Sequence, residues 1–246
     1  MRQRIHQGLI GSCVAGAVAF LGAASLSGAG GQVLQVPGDY ATIQSAVAAA
    51  HAGDTILVAA GIYSENVVVS TSGVRLLGTG DVVLDGTGLS GIGIHFLGTA
   101  AEPVTGAEVS NFEVRNFERG IILQWATEAR VSLNYAHDNV DMSAPGLGDS
   151  TGIELLDTSA SDVSHNAVSR NGLNGINVRL VSTENFVHHN RVLGNGWQSL
   201  NSTGVGILLT GAGGQGNRIE HNKIEGNNGW GVRVTRPLAA PPMEEF

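Results

Sequence analysis

Asparagine recurs in pairs along the second half of this chain, the two members of each pair five residues apart. The pairs are Asn111 and Asn116, Asn134 and Asn139, Asn166 and Asn171, Asn190 and Asn195, and Asn222 and Asn227. Behind each pair stands a glycine with a β-branched residue: Gly120-Ile121, Gly152-Ile153, Gly175-Ile176, Gly206-Ile207 and Gly231-Val232. The second members advance by 23, 32, 24 and 32 residues, which is a unit of about 23 residues with two insertions of about nine. A period of that length builds a solenoid, in which each unit buries its apolar face only against its neighbours.

The residues around each asparagine select the kind of solenoid. Val163-Ser164-His165-Asn166-Ala167-Val168 and Ile219-Glu220-His221-Asn222-Lys223-Ile224 place β-branched residues close together, and Gly231-Val232-Arg233-Val234 alternates. These are short strands of two to five residues. An asparagine at the bend is expected to take the left-handed conformation and to bond, through its amide, to the asparagines above and below at about 4.8 Å. Asn111 stands one residue closer to its apolar neighbour than its later counterparts, which predicts a displaced rung.

Upstream, Val36-Pro37-Gly38-Asp39-Tyr40-Ala41-Thr42-Ile43-Gln44-Ser45-Ala46-Val47 leads to Ala52-Gly53-Asp54-Thr55-Ile56-Leu57-Val58 and then to Gly61-Ile62-Tyr63-Ser64-Glu65-Asn66. Together with the asparagine pairs, these segments resemble the right-handed parallel β-helix proteins of the pectate-lyase-like superfamily, over residues 33 to 235. Ala60 departs from the proline usual in those relatives. The resemblance implies an all-β solenoid whose open N-terminal end is plugged by a short helix, and a substrate cleft floored by the first sheet. It does not choose among lyases, hydrolases, esterases, epimerases and non-enzymes. A leucine-rich repeat shares the period, but two asparagines per unit, Val and Ile in place of Leu, and no helical stretch between strands count against it.

The 246 residues suffice for one elongated domain. Residues 1–29 read as a signal peptide, with Arg2 and Arg4 ahead of an apolar run from Leu9 to Leu26 and a small-residue Ser27-Gly28-Ala29 end; an uncleaved membrane anchor is the alternative. The implied location is secreted or periplasmic, with no membrane contact after cleavage. Residues 30–54 are the lead-in and capping helix (Thr42 to Ala50), 55–235 a β-helix of about seven coils, and 236–246 a Pro-rich tail. The only cysteine, Cys13, leaves with the signal. Cleavage leaves eleven basic against twenty-one acidic residues, a charge of −10 that disfavours nucleic acid as a partner. An extracellular polysaccharide is the expected partner and a monomer the expected state; a polyanionic sugar remains compatible through local arginines or bound calcium.

Both insertions, Val140 to Thr151 and Gly196 to Val205, fall between the second asparagine and the Gly-Ile strand. They leave the solenoid at one corner and would wall one sheet, although insertions are also simply tolerated at such corners. Alternation from each glycine turns Ile121, Ile153, Ile176, Ile207 and Val232 inward and Ile122, Glu154, Asn177, Leu208 and Arg233 outward. Glu154, Asn177 and Arg179 thus share adjacent coils, with Asp157 just beyond the strand, and form a candidate site: Arg179 for a uronate carboxylate, Glu154 as metal ligand or acid, and a histidine or Arg233 as proton acceptor. Trp197 is a candidate sugar-stacking residue on the second insertion, with Trp125 and Trp230 as lesser ones. His165, His189 and His221 each precede an asparagine of the ladder and should stack on consecutive coils beside His188; the row is either a weak transition-metal candidate or a stack with no ligand.

Family motifs argue by absence. The Asp-Asp, Gly-His-Gly and Arg-Ile-Lys steps of polygalacturonases do not occur. Gly61-Ile62-Tyr63-Ser64-Glu65 resembles the opening motif of pectin methylesterases without their later catalytic motifs. Lys223 is the sole lysine, so a lyase base would be an arginine or histidine. The expectation is a β-helix protein that binds or modifies a uronate-containing polysaccharide, lyase- or epimerase-like if catalytic. The alternatives are a non-catalytic surface or periplasmic scaffold and a periplasmic metal-handling β-helix.

Overall fold

The computed structural model describes residues 31–141, 149–198, 204–211 and 215–235. The signal segment, the centres of both insertions and the C-terminal tail lie outside the described residues. Among the described residues no helix is long and apolar enough to cross a membrane.

One short helix, Ile43–Ala49, closes the N-terminal end. Thr42 caps it in an extended conformation, accepting from Ser45 N at 3.1 Å while Ser45 Oγ accepts from Thr42 N at 3.3 Å. The next two orphan donors, Ile43 N and Gln44 N, reach the two oxygens of Glu65 at 2.9 and 2.8 Å. Glu65, the residue that carried the esterase-like motif, therefore serves the cap. Ile43, Ala46 and Val47 are buried and seal the core.

From Val67 onward the chain winds as a right-handed parallel β-helix with three faces. The first face is a seven-stranded parallel sheet: Val67–Val69, Ile92–Leu97, Arg119–Gln124, Thr151–Leu156, Asn174–Arg179, Val205–Thr210 and Trp230–Thr235. The second and third faces belong to one twelve-stranded sheet. Early in the chain, Arg75–Asp85 and Glu108–Arg115 run through the corner between them as single long strands. Later coils split there into three-residue strands such as Asp162–Ser164 and Ala167–Ser169.

Two buried amide ladders produce the split. Asn134 Nδ2 donates to Asn166 Oδ1 at 3.1 Å, Asn166 to Asn190 at 2.9 Å and Asn190 to Asn222 at 3.0 Å. The second ladder runs Asn139, Asn171, Asn195, Asn227 at 3.0, 2.9 and 3.0 Å. Each amide also donates to a backbone carbonyl two or three residues before the corner of the preceding coil, as Asn171 does to Ala136 O at 3.2 Å. A third, shorter row that the sequence reading missed links Ser161 to Asn185 and Asn185 to Asn217 at the remaining corner.

The ladder asparagines are not left-handed. That conformation falls one residue earlier, on Leu133, His165, His189 and His221 at one corner and on Asp138, Arg170, Gly194 and Gly226 at the other. The bend is taken by the exposed neighbour, leaving the amide free to point inward. Asn111 and Asn116 are themselves such left-handed residues, at φ 62° and 61°. Their rungs are filled instead by Phe112 and Phe117, whose backbone N–H groups donate to Asn134 Oδ1 and Asn139 Oδ1 at 3.0 and 3.2 Å. The displacement anticipated for Asn111 therefore extends to the whole first pair, and two buried rings end the ladders where the all-apolar coils begin.

Candidate functional site on the first sheet

The glycine row sets the phase of the first sheet. A Cβ on Gly152 would lie 2.5 Å from Val168 Cγ1 and 2.6 Å from Asn171 Nδ2, and one on Gly175 would lie 2.4 Å from Val192 Cγ1. These glycines face the core, where only a hydrogen fits against the ladder amide. The isoleucine after each one also faces the core, and the strand register skips the glycines. Two consecutive inward positions shift the alternation, as a bulge does. The residue before each glycine consequently joins the outer rows: Arg119, Thr151, Asn174, Val205 and Trp230.

That shift brings Arg119 to the candidate site. Glu154 Oε2 lies 3.3 Å from Arg119 Nη1, and Oε1 lies 3.1 Å from both Arg179 Nη1 and Asn177 Nδ2. Arg179 Nη1 also reaches Asp149 Oδ1 at 3.0 Å. Glu154 and Asn177 sit on the outer side of the sheet, as expected, but both are buried rather than open to solvent. Burial pushes the Glu154 carboxyl above its ordinary value, against the pull of Arg179 and Arg119. The two arginine side chains are 27% and 31% exposed, so they carry the accessible polar surface of the cluster.

One further titratable group lies on the same outer row. His95 pairs in register with Ile122, which pairs with Glu154. Its Nε2 lies 3.0 Å from Gln124 Oε1, and because that oxygen only accepts, the ring proton sits on Nε2 and Nδ1 offers a lone pair. Burial lowers its pKa, the Gln124 bond opposes this, and the charge of Arg119 adds to the lowering. Gly93-Ile94-His95 repeats the Gly-Ile-X pattern of the later coils; extending the outward row one coil towards the N-terminus would have found it.

The other expected residues are placed elsewhere. Arg233 stands three rungs from Glu154 on the last described strand, roughly 14 Å along the rod, and is exposed. Asp157 is a left-handed corner residue whose Oδ1 accepts from Val181 N at 3.2 Å. Trp197 donates its indole N–H to Arg170 O at 2.9 Å, which fixes it at the corner where the chain enters the first sheet, beside Asn116, Asp138 and Val140. One ring face stays open there, at 56% exposure, but it does not converge with Arg179. Trp230 is exposed on the last strand, and Trp125 turns a corner in the left-handed conformation.

The histidines stack. The rings of His165 and His189 lie 5.2 Å apart at 5°, and those of His189 and His221 5.1 Å apart at 14°. His188 Nδ1 is 2.8 Å from His189 Nδ1, and its Nε2 is 2.8 Å from Asp162 Oδ2. The row follows the corner opposite the first sheet. Among the described residues no group of three or more histidine, cysteine or acidic side chains has the geometry to hold a metal ion. Calcium in particular takes six to eight oxygens, whereas both oxygens of Glu154 already face Arg119, Arg179 and Asn177. The residues of the first sheet do not fit that ion.

These features define a three-faced parallel β-helix with a polar cluster on its first sheet. The right-handed β-helix region profile matches residues 60–236, and the chain belongs to that family. No curated protein matches it. Among solved structures it is similar to ORF18 of Geobacillus virus E2, with a TM-score of 0.59 and 12% identity over 77% of this chain and 40% of that one. It is also similar to the alginate lyase from Paenibacillus sp. str. FPU-7, with a TM-score of 0.57 and 16% identity over 78% of this chain and 75% of the lyase. The pectate lyase Pel9A aligns with a TM-score of 0.58 and 14% identity, over 83% and 68% of the two chains. At such identities the likeness is one of fold.

Proposed function

We propose that this protein binds and modifies a uronate-containing extracellular polysaccharide along its first sheet, by proton abstraction beside the uronate carboxylate. The observation that carries the reading is the pair of arginines, Arg119 and Arg179, which reach the buried Glu154 from the coils on either side of its own. Two of the solved structures with this fold are lyases of uronate polymers by name, which supports the substrate class. Residues 1–29, read as a signal peptide, support an extracellular or periplasmic location.

The geometry supports one assignment of roles. The free N–H groups of Arg119 and Arg179 take the uronate carboxylate, neutralising it and lowering the acidity barrier of the adjacent C5–H. Glu154 positions the two guanidiniums, with Asn177 steadying its carboxylate. His95, kept neutral by burial, accepts the C5 proton at Nδ1. The electron pair left at C5 forms the C4–C5 double bond as the glycosidic C4–O bond breaks and the leaving oxygen takes a proton from water. In an epimerase, the same carbanion instead takes a proton on its other face.

The test incubates residues 30–246 with pectic, alginate and glycosaminoglycan polymers, following absorbance of the unsaturated uronate together with hydrogen exchange at C5. Activity on one polymer that drops about a hundredfold in His95→Ala and in Arg119→Ala, Arg179→Ala is the expected result. A non-catalytic scaffold has one specific observation in its favour, the complete burial of Glu154 with both oxygens already bonded. Neither absorbance nor exchange on any polymer would give that reading the field.

A further inference from the structure

The third face of the rod carries a hollow that the first-sheet cluster does not touch. It is open, about 520 Å³ in volume, and lined by Tyr135, Ala167, Ser169, Arg170, Arg191 and Leu193. Small ligand sites fall within about 300–1,000 Å³. The hollow exists because one coil is thin: Ala167 and Ser169 lie between Tyr135 and His137 of the coil before and Arg191 and Leu193 of the coil after. Gly194 continues the gap at the corner, where a Cβ would meet nothing within 4 Å.

The polar groups at this hollow are preorganised on one side and vacant on the other. Tyr135 stacks on His137 with ring centroids 3.9 Å apart, and its hydroxyl lies 3.2 Å from Ser169 Oγ. His137 is itself held between Asp138, at 2.6 Å, and Glu113, at 3.2 Å, so this wall is fixed. Arg170 is paired with Asp138 through Nε at 2.9 Å and through Nη2. Arg191 differs from both. Among the described residues its guanidinium has no hydrogen bond or ion pair, although the chain holds 21 acidic residues against 13 basic ones. The next residue along its row is another cation, Lys223, whose ammonium lies 3.4 Å from Glu225. With Arg170 and Lys223 already holding carboxylates, Arg191 is the cation at the hollow whose charge is left for an anion. Two neighbouring hydroxyls and a small apolar floor fit a ligand carrying several hydroxyl groups as well.

We infer that the hollow on the third face binds one oxyanion-bearing pyranose residue, its carboxylate or sulfate on Arg191 and its hydroxyls on Tyr135 and Ser169. This site is separate from the first sheet and needs no chemistry there. A long acidic polysaccharide held at both places would be gripped on two faces of the rod, so that the third face supplies retention.

The experiment titrates residues 30–246 by calorimetry with three probes: a galacturonate trisaccharide, a sulfated disaccharide and a neutral galactose trisaccharide. The expected result is binding of a charged probe but not the neutral one, weakened about tenfold or more in Arg191→Ala and in Ala167→Phe, which fills the hollow while leaving every charge in place. The first two probes separate a carboxylate from a sulfate ligand. Arg191 is exposed, so its loss leaves the fold intact by circular dichroism. Binding that survives both changes, equal binding of the neutral sugar, or no binding of any probe would each overturn the inference. The variant Arg119→Ala, Arg179→Ala should lose polymer turnover while retaining this binding, so failure of either site is read separately.

Discussion

The early and late coils of this rod are closed by different physics. Around residues 75 to 117 the second and third faces are continuous strands of eleven and eight residues, and the corner positions that face inward are Phe112 and Phe117. From residue 134 onward the same corner is a sharp break between three-residue strands, and the inward group is an asparagine amide. A phenyl ring fills a wide, gently curved corner by volume and asks only for apolar neighbours. An amide fills a tight corner and must have every donor and acceptor met, which it achieves by bonding to its copy in the next coil. The first kind of corner needs no repeat, whereas the second exists only because there is one.

The strongest way to break this contrast is Phe117→Ala. The side chain is fully buried and ends the second ladder, so its loss should cost about 3–5 kcal/mol, read from a urea unfolding curve. Next comes Asn171→Ala in the middle of that ladder. It strands the Asn139 amide and the Ala136 carbonyl in a buried setting and should cost about 1–3 kcal/mol. Asn222→Ala, on the half-buried last rung, should cost less, about 1 kcal/mol, because water reaches the groups it abandons. A cost equal to that of Asn171→Ala would mean that the ladder acts as one cooperative unit.

The smallest effect is expected on the outer side of the same corner. Desolvation, with the like charges of His188, His221 and His165, lowers the pKa of His189. A histidine whose folded pKa lies below its unfolded value of about 6.5 favours folding in its neutral form. That stability is complete above about pH 6.5 and is lost as the pH falls through the folded value. Asp162, bonded to His188, is the acidic side chain that offsets the repulsion. The melting temperature should therefore fall on acidification from about pH 7 to 5, and fall less in His189→Asn, which keeps a residue tolerant of the left-handed bend. An unchanged pH profile in that variant would show that the row carries no repulsion.

The repeat was legible because its two hardest requirements leave one residue type each. A buried amide that accepts and donates in register is asparagine, and a position 2.4 Å from Val192 Cγ1 or Gly152 O is glycine. Asn134 to Asn227 and the Gly-Ile steps could be read directly. Asn111 and Asn116 misled because asparagine also suits the left-handed position one residue earlier, and nothing in its identity separates the two uses. The third row stayed hidden because its rungs mix Ser161 with Asn185 and Asn217. On the candidate site, strict alternation put Glu154, Asn177 and Arg179 on one face. It lost Arg119 because the glycines take two inward positions in succession. The burial of Glu154 was not legible, since it arises from arginines on neighbouring coils.

The ladders also have a direction. Every amide-to-amide bond points towards the C-terminus, Asn134 to Asn166 to Asn190 to Asn222, so each coil presents the same acceptor to the coil behind and the same donor to the coil ahead. Any coil is then interchangeable at its boundaries with any other. A stretch of DNA encoding one such turn, copied in frame, would slot between two existing turns without asking either to change. Selection acting on such copies would adjust the length of the rod in whole coils, and with it the length of polymer that one molecule can lie along.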